Sequence, residues 1–117
     1  MARLYKTSKM GVELLIDNLE IADSFFKRGW GLLGHKKLEP SQALWIKIGN
    51  NAHTFFMKFS IDCIFVDSKM EIKNIAHNVV PFRFVGPFWK STSFIETAAG
   101  FAESKKLKVG DHLYVVN

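Results

Sequence analysis

His53, Asp62 and Glu96 are the residues of this 117-residue chain whose types could do chemistry together. An imidazole beside two carboxylates can hold a divalent cation or pass protons as acid and base. A plainer role is open to each carboxylate. One in a strand more often bridges to a cation or accepts backbone N–H groups at a bend, and Arg28 and Lys58 are available partners. Asp67 and Asp111 fall where turns are expected, and aspartate there commonly bonds its own backbone. Trp30, Trp45, Trp89 and the Phe82/Phe84/Phe88 group could stack on a sugar or a base. In a β-rich domain such rings more often anchor core and loops; Trp89, flanked by Arg83 and Lys90, is the expected exception. The chain has no G-x-S-x-G, H-E-x-x-H or cysteine–histidine pair, so hydrolase and zincin chemistry find no support.

The stretch that must position these groups is His53–Asp67, HTFFMKFSIDCIFVD. At period 2, one face carries His53, Phe55, Met57, Phe59, Ile61, Cys63 and Phe65, the mark of strand against a core. The other carries Thr54, Phe56, Lys58, Ser60, Asp62, Ile64 and Val66, and reads as the polar face. Fifteen extended residues would reach roughly 50 Å at about 3.3 Å each, too far for a domain of this size. A bend near Lys58–Ser60, making two strands, is therefore expected. Just beyond it, Asp62 is expected to accept backbone N–H groups or pair with Arg28 or Lys58.

Elsewhere, Arg3–Thr7 and Val12–Asp17 read as strands around the turn at Ser8–Gly11. Asp17 or Asn18 can cap a helix, and Leu19, Ala22, Phe25 and Phe26 fit helical spacing, so a helix is expected over about 19–28. Gly29, Gly31 and Gly34 would stop it in a turn carrying Trp30, a turn that lacks the strand and helix of a phosphate loop. Strands are expected at Ser41–Ile48, Glu71–Val80, Ser93–Thr97 and His112–Val116, with a helical turn near 99–108. Pro81–Lys90 is a loop with its own apolar anchors. Seven or eight strands and one helix predict a mainly β fold, an antiparallel sandwich or open barrel.

Size and composition predict one domain over 1–117, with 48% hydrophobic and 23% charged residues. The net charge of +5 is scattered, which favours a solvated surface over a nucleic-acid track. Cys63, the single cysteine, rules out an internal disulfide and reads as a buried thiol. No apolar run is long enough to span a membrane, and the first residues lack a signal peptide's pattern, so the sequence as given reads as cytoplasmic.

Five segments carry a resemblance: Arg28–Leu33, His53–Lys58, Ile61–Asp67, Glu96–Gly100 and Val109–Asp111. In that order they look like the motifs of the domain-of-unknown-function 192 family, also called UPF0127, over about 14–116. The resemblance implies a compact, jelly-roll-like β domain with a short helix, and no established activity. Many relatives carry export signals or lipoprotein leaders, which are not seen here. Ser60 stands where relatives often have proline, and Thr97 where an apolar residue or proline is common.

These readings lead to a small non-enzymatic binding or accessory domain, expected to be monomeric. Its site is a groove between the 29–34 turn, the 58–62 bend and the 81–90 loop. Arg28, Trp30, His53, Lys58, Asp62, Arg83, Trp89 and Glu96 are the expected ligand contacts; no metal, cofactor or catalytic residue is assigned. The ligand is a small molecule or protein of unknown kind. The alternatives are an enzyme of unrecognised class built on His53, Asp62 and Glu96, or a weak nucleic-acid binder.

Overall fold

The fifteen-residue central stretch does break. In the computed structural model, which describes residues 2–22, 37–55 and 57–117, it forms two strands. They are β4 (Ala52–His53) and β5 (Ile61–Val66), with the backbone bending at Lys58 and Phe59 between them. The remaining strands are β1 (Ala2–Ser8), β2 (Gly11–Ala22), β3 (Gln42–Ile46), β6 (Ile72–Val79), β7 (Phe84–Val85), β8 (Ser93–Ala98) and β9 (His112–Val116). Among the described residues one short helix, α1, spans Phe101–Ser104, inside the expected helical turn.

Seven strands form one sheet in the order β6-β5-β8-β3-β2-β1-β9, while β4 and β7 make a separate pair. Every ladder is antiparallel except β2–β3. The two edge strands approach each other at one end. There Glu71 bridges His112, the Ile72 N–H donates to the Asp111 carbonyl at 2.9 Å, and the Leu113 N–H donates to Met70 at 3.0 Å. The sheet thus curls without closing: a mainly β domain of the open-barrel kind.

Two apolar clusters flank the curled sheet. Ile64, Val66 and Ile95 lie on one face with Leu4, Ile16, Leu19 and the α1 residues Phe101 and Ala102. Ile61, Cys63, Phe65 and Phe94 lie on the other with Leu44, Ile46, Ala52 and Met57. All six residues of β5 are buried, so the expected polar face of this strand is a second core face. Its neighbours supply the cover, α1 on one side and the β4–β7 pair on the other. Burying side chains such as Phe65 and Phe94, whose ring centroids are 5.2 Å apart, stabilises the fold by about 1.5–3 kcal/mol each.

The expected helix over about 19–28 does not begin where the spacing suggested. Leu19 through Ala22 continue β2, pairing in parallel with Ala43 through Ile46 of β3. Leu19 and Ala22 are three residues apart because they serve opposite faces of one strand, Leu19 in the first cluster and Ala22 in the second. Backbone bonds to β3 override local helical preference there. Residues 23–28 lie outside the described residues, as do the 29–34 turn, Arg28 and Trp30.

Candidate functional site

Thr54 ties the short β4–β7 pair to the loop that follows β6. Its hydroxyl donates to the Val80 carbonyl at 2.6 Å and accepts the Arg83 N–H at 2.9 Å. Its own N–H donates to the Arg83 carbonyl at 2.9 Å, and its carbonyl accepts the Phe82 N–H at 3.0 Å. With the side chain fully buried, these bonds are shielded from competing water. Gly86 closes the far side of the loop. Its φ of +98° suits glycine, and a Cβ there would sit 2.8 Å from the Asn50 carbonyl oxygen. The Phe88 N–H donates to that same oxygen at 2.9 Å.

Alternation along the short pair then sorts its side chains. Ala52 and Val85 face each other and pack into the core, which turns His53 and its partner Phe84 outward. Phe55 stacks on His53 with ring centroids 5.3 Å apart, and Phe82 lies 6.5 Å from Phe55. Phe82 and Phe84 are each 58% exposed, Phe55 40% and Trp89 83%, and no other phenylalanine or tryptophan among the described residues is exposed to this degree. Phe82 also adopts a φ of +64°, a region that costs a bulky side chain about 1–3 kcal/mol.

The chain segments that carry these rings hold charged side chains of one sign. Between Pro40 and Ile61, and again between Ile72 and Ile95, the sequence contains no aspartate or glutamate. Lys47, Lys58, Arg83 and Lys90 are exposed in those stretches; of the carboxylates that bound them, Asp62 and Glu96 are buried, Glu71 is half-buried and Glu39 is exposed. These segments offer apolar contact area together with positive charge.

Asp62 and Glu96 do not converge with His53. Asp62 leaves β5 on the face of Ile64 and Val66, whereas Glu96 leaves β8 on the opposite face, that of Phe94 and the facing Cys63. His53 projects from the separate two-stranded pair. Among the described residues, no group of three or more His, Cys, Asp or Glu side chains could hold a metal ion. The Asp62 carboxylate is instead used internally. One oxygen accepts the Asn78 N–H at 2.8 Å and the other the Ala102 N–H at 3.0 Å. Acceptance of two backbone groups was the expected role, but the donors come from β6 and α1 rather than from the bend.

At the end where the sheet edges meet, Asp67 and Asp111 cap their turns as expected. Asp67 accepts the N–H groups of Lys69 and Glu71, and Asp111 that of Lys108. Lys73 lies 2.6 Å from Glu71 and 3.7 Å from Asp67. Burial alone would raise the Asp67 carboxyl, but the Glu71 and Lys69 N–H groups and the Lys73 ammonium outweigh it and hold it below the ordinary range. Lys73 is raised, chiefly by its hydrogen bond to Glu71.

Of the expected contacts, then, the exposed surface contains Lys58, Arg83 and Trp89; His53 is half-buried, and Asp62 and Glu96 sit in the core. Thr54, Phe55, Phe82 and Phe84 were missing from that set. The F-R-F run at 82–84 was a usable signal, since alternation about an arginine points like residues one way. Nothing in one sequence marks Thr54.

The family model DUF192, described as Uncharacterized ACR, matches residues 6–115 of this chain. A UPF0127 protein of Pyrococcus horikoshii is 36% identical over 101 residues, covering 81% of this chain and 84% of the relative. One from Pyrococcus furiosus is 32% identical over 106 residues, 88% and 90% of the two. Among crystal structures, a protein of unknown function from Novosphingobium aromaticivorans aligns with a TM-score of 0.81 at 20% identity, over 96% of this chain and 83% of that one. A Sinorhizobium meliloti protein that carries the name of a candidate transcription regulator aligns at 0.85 and 20%, over 97% and 92%. At that identity, the two structures establish a shared fold.

Proposed function

The chain belongs to the DUF192 family of uncharacterised proteins, which hands down no activity, and within it we propose a non-enzymatic binding domain. Its contact surface is formed by Phe55, Phe82, Phe84 and Trp89 with Lys58 and Arg83 beside them. The observation that carries this reading is that the exposed phenylalanine and tryptophan side chains of the described residues all fall at Phe55 and within 82–89. Scattered exposed apolar residues are ordinary; aromatic ones gathered on a braced loop mark an interaction site. The groove expected from sequence changes accordingly. Asp62 leaves β5 on the opposite face, toward α1, and drops out of it; the exposed rings and cations supply the contact.

The ligand chemistry that fits is apolar and anionic. Titrating isotope-labelled protein with anilinonaphthalene sulfonate, an aromatic anion, tests the surface directly by amide chemical shift. Shifts should gather on residues 53–55 and 80–90 and vanish in the double variant Phe82→Ser/Phe84→Ser with the rest of the spectrum unchanged. Shifts centred elsewhere, or none at all, would defeat the reading. The enzyme alternative loses its geometric support, since Asp62 and Glu96 leave the sheet on opposite faces.

A further inference from the structure

We infer that the aromatic–cationic surface docks on an anionic lipid bilayer, with Phe82, Phe84 and Trp89 entering the headgroup region and Lys58, Arg83 and Lys90 contacting lipid phosphates and carboxylates. This rests on the surface being a binding site at all. Charge complementarity is the first reason. The segments that carry the exposed rings also carry exposed cations and no exposed carboxylate. An anionic leaflet attracts each such cation by about 1 kcal/mol, roughly a fivefold change in partitioning per charge.

The character of the apolar groups separates lipid from nucleic acid. Stacking on bases needs open ring faces, yet His53 and Phe55 stack on each other and Phe82 leans toward Phe55. Exposed aliphatic side chains belong to the same two stretches: Ile48 is 76% exposed and Val80 39%. A bilayer interface accepts rings and aliphatic chains alike, and tryptophan with cations is its usual anchor. Several loop ends contribute. Ile48 precedes Gly49, whose N–H donates to Thr92, two residues past Lys90, while Phe82 is held by Thr54. Phe82 keeps its positive φ with its N–H held by the Thr54 carbonyl, while the residue stays 58% exposed.

The test is co-sedimentation of the full chain with vesicles of phosphatidylcholine alone and of phosphatidylcholine with phosphatidylserine. Binding should require phosphatidylserine and weaken with salt. Arg83→Glu, a reversal worth two charges, should weaken it about 25-fold at the rate of fivefold per charge. Phe82→Ser/Phe84→Ser should abolish it, and Trp89→Ser should reduce it at unchanged melting temperature, which guards against misfolding of the double variant. Retention of vesicle binding by all three variants overturns the inference. Absence of sedimentation while the sulfonate probe still shifts residues 80–90 removes the lipid and leaves the binding reading standing. Tight binding of oligothymidylate lost in the same variants removes the lipid in favour of single-stranded nucleic acid. Failure of every probe removes both.

Discussion

The Asp62 carboxylate and the Ala102 backbone amide, forty residues apart in the chain, share a buried hydrogen bond of 3.0 Å. The second oxygen of the same carboxylate takes the N–H of Asn78, a residue of β6 with φ of +49°. One side chain thus joins the central strand, its edge neighbour and the helix. The ladder between β5 and β6 shifts register between Ile61 and Cys63, which is where Asp62 sits. Because β5 is apolar on both faces, slipping it by one residue would exchange one buried set for another at little hydrophobic cost. A fully buried carboxylate with two fixed donors makes that slip costly. Truncation to alanine strands both N–H groups, so Asp62→Ala should cost about 3 kcal/mol; Asp62→Asn keeps one acceptor and should cost about half as much. Urea unfolding of both measures this, and an alanine variant as stable as wild type would refute the pin.

Asp67 makes stability depend on acid. Its folded pKa lies below the ordinary 3.8, so its contribution is present above that value and disappears as pH falls through the lower, folded one. The melting-temperature gap between wild type and Asp67→Asn should therefore be constant near neutrality and close in strong acid. Lys73, raised above 10.5, acts with the opposite sign, its contribution being lost only as pH climbs past that raised value. Both groups are partly exposed, so the gap should be small and shrink with salt.

Thr54→Val keeps the shape but removes the hydroxyl that serves Val80 and Arg83. We expect a loss of about 1–3 kcal/mol, with Thr54→Ser retaining most of the stability because its hydroxyl can make the same bonds. Thermal melts of the two variants decide it. Equal melts would mean that the loop is held without this side chain.

Gly86→Ala combines a disfavoured φ with a Cβ 2.8 Å from a backbone oxygen. The loop must move or strain by about 1–3 kcal/mol, so urea midpoints should fall and amide shifts should spread from residue 86 to Asn50. A variant with wild-type midpoint and spectrum would contradict the close approach.

The Cys63 thiol, fully buried against the core, should react with an aromatic disulfide reagent only as fast as the protein opens. Addition of urea below the midpoint should speed the reaction. Immediate labelling of the native protein would show the face to be accessible.

Much of this architecture was legible in the sequence. The overlong alternating stretch required a break, and it came between His53 and Ile61; the turns at Asp67 and Asp111 formed as turn chemistry dictates. What alternation could not show was how many layers cover β5, since a strand buried on both faces has no polar side to display. The same ambiguity turned Leu19 and Ala22 into an apparent helical stripe. For the site, residue type announced Trp89, Arg83 and Lys58 as surface groups. The partners of Asp62 stayed hidden because they are backbone groups brought in by tertiary folding, which residue identity does not encode.

Pairing of the first strand with the last has a mechanical consequence. Arg3 lies opposite Val116, so both ends of this ladder emerge at the same end of an antiparallel pair. A pulling force applied through residues 2 and 116 would run along the interstrand bonds, which lie across the strands, and load them one after another. The domain should therefore open like a zip at low force from that edge. The buried β5–β8 ladder, with Asp62 at its side, would be the part that yields last.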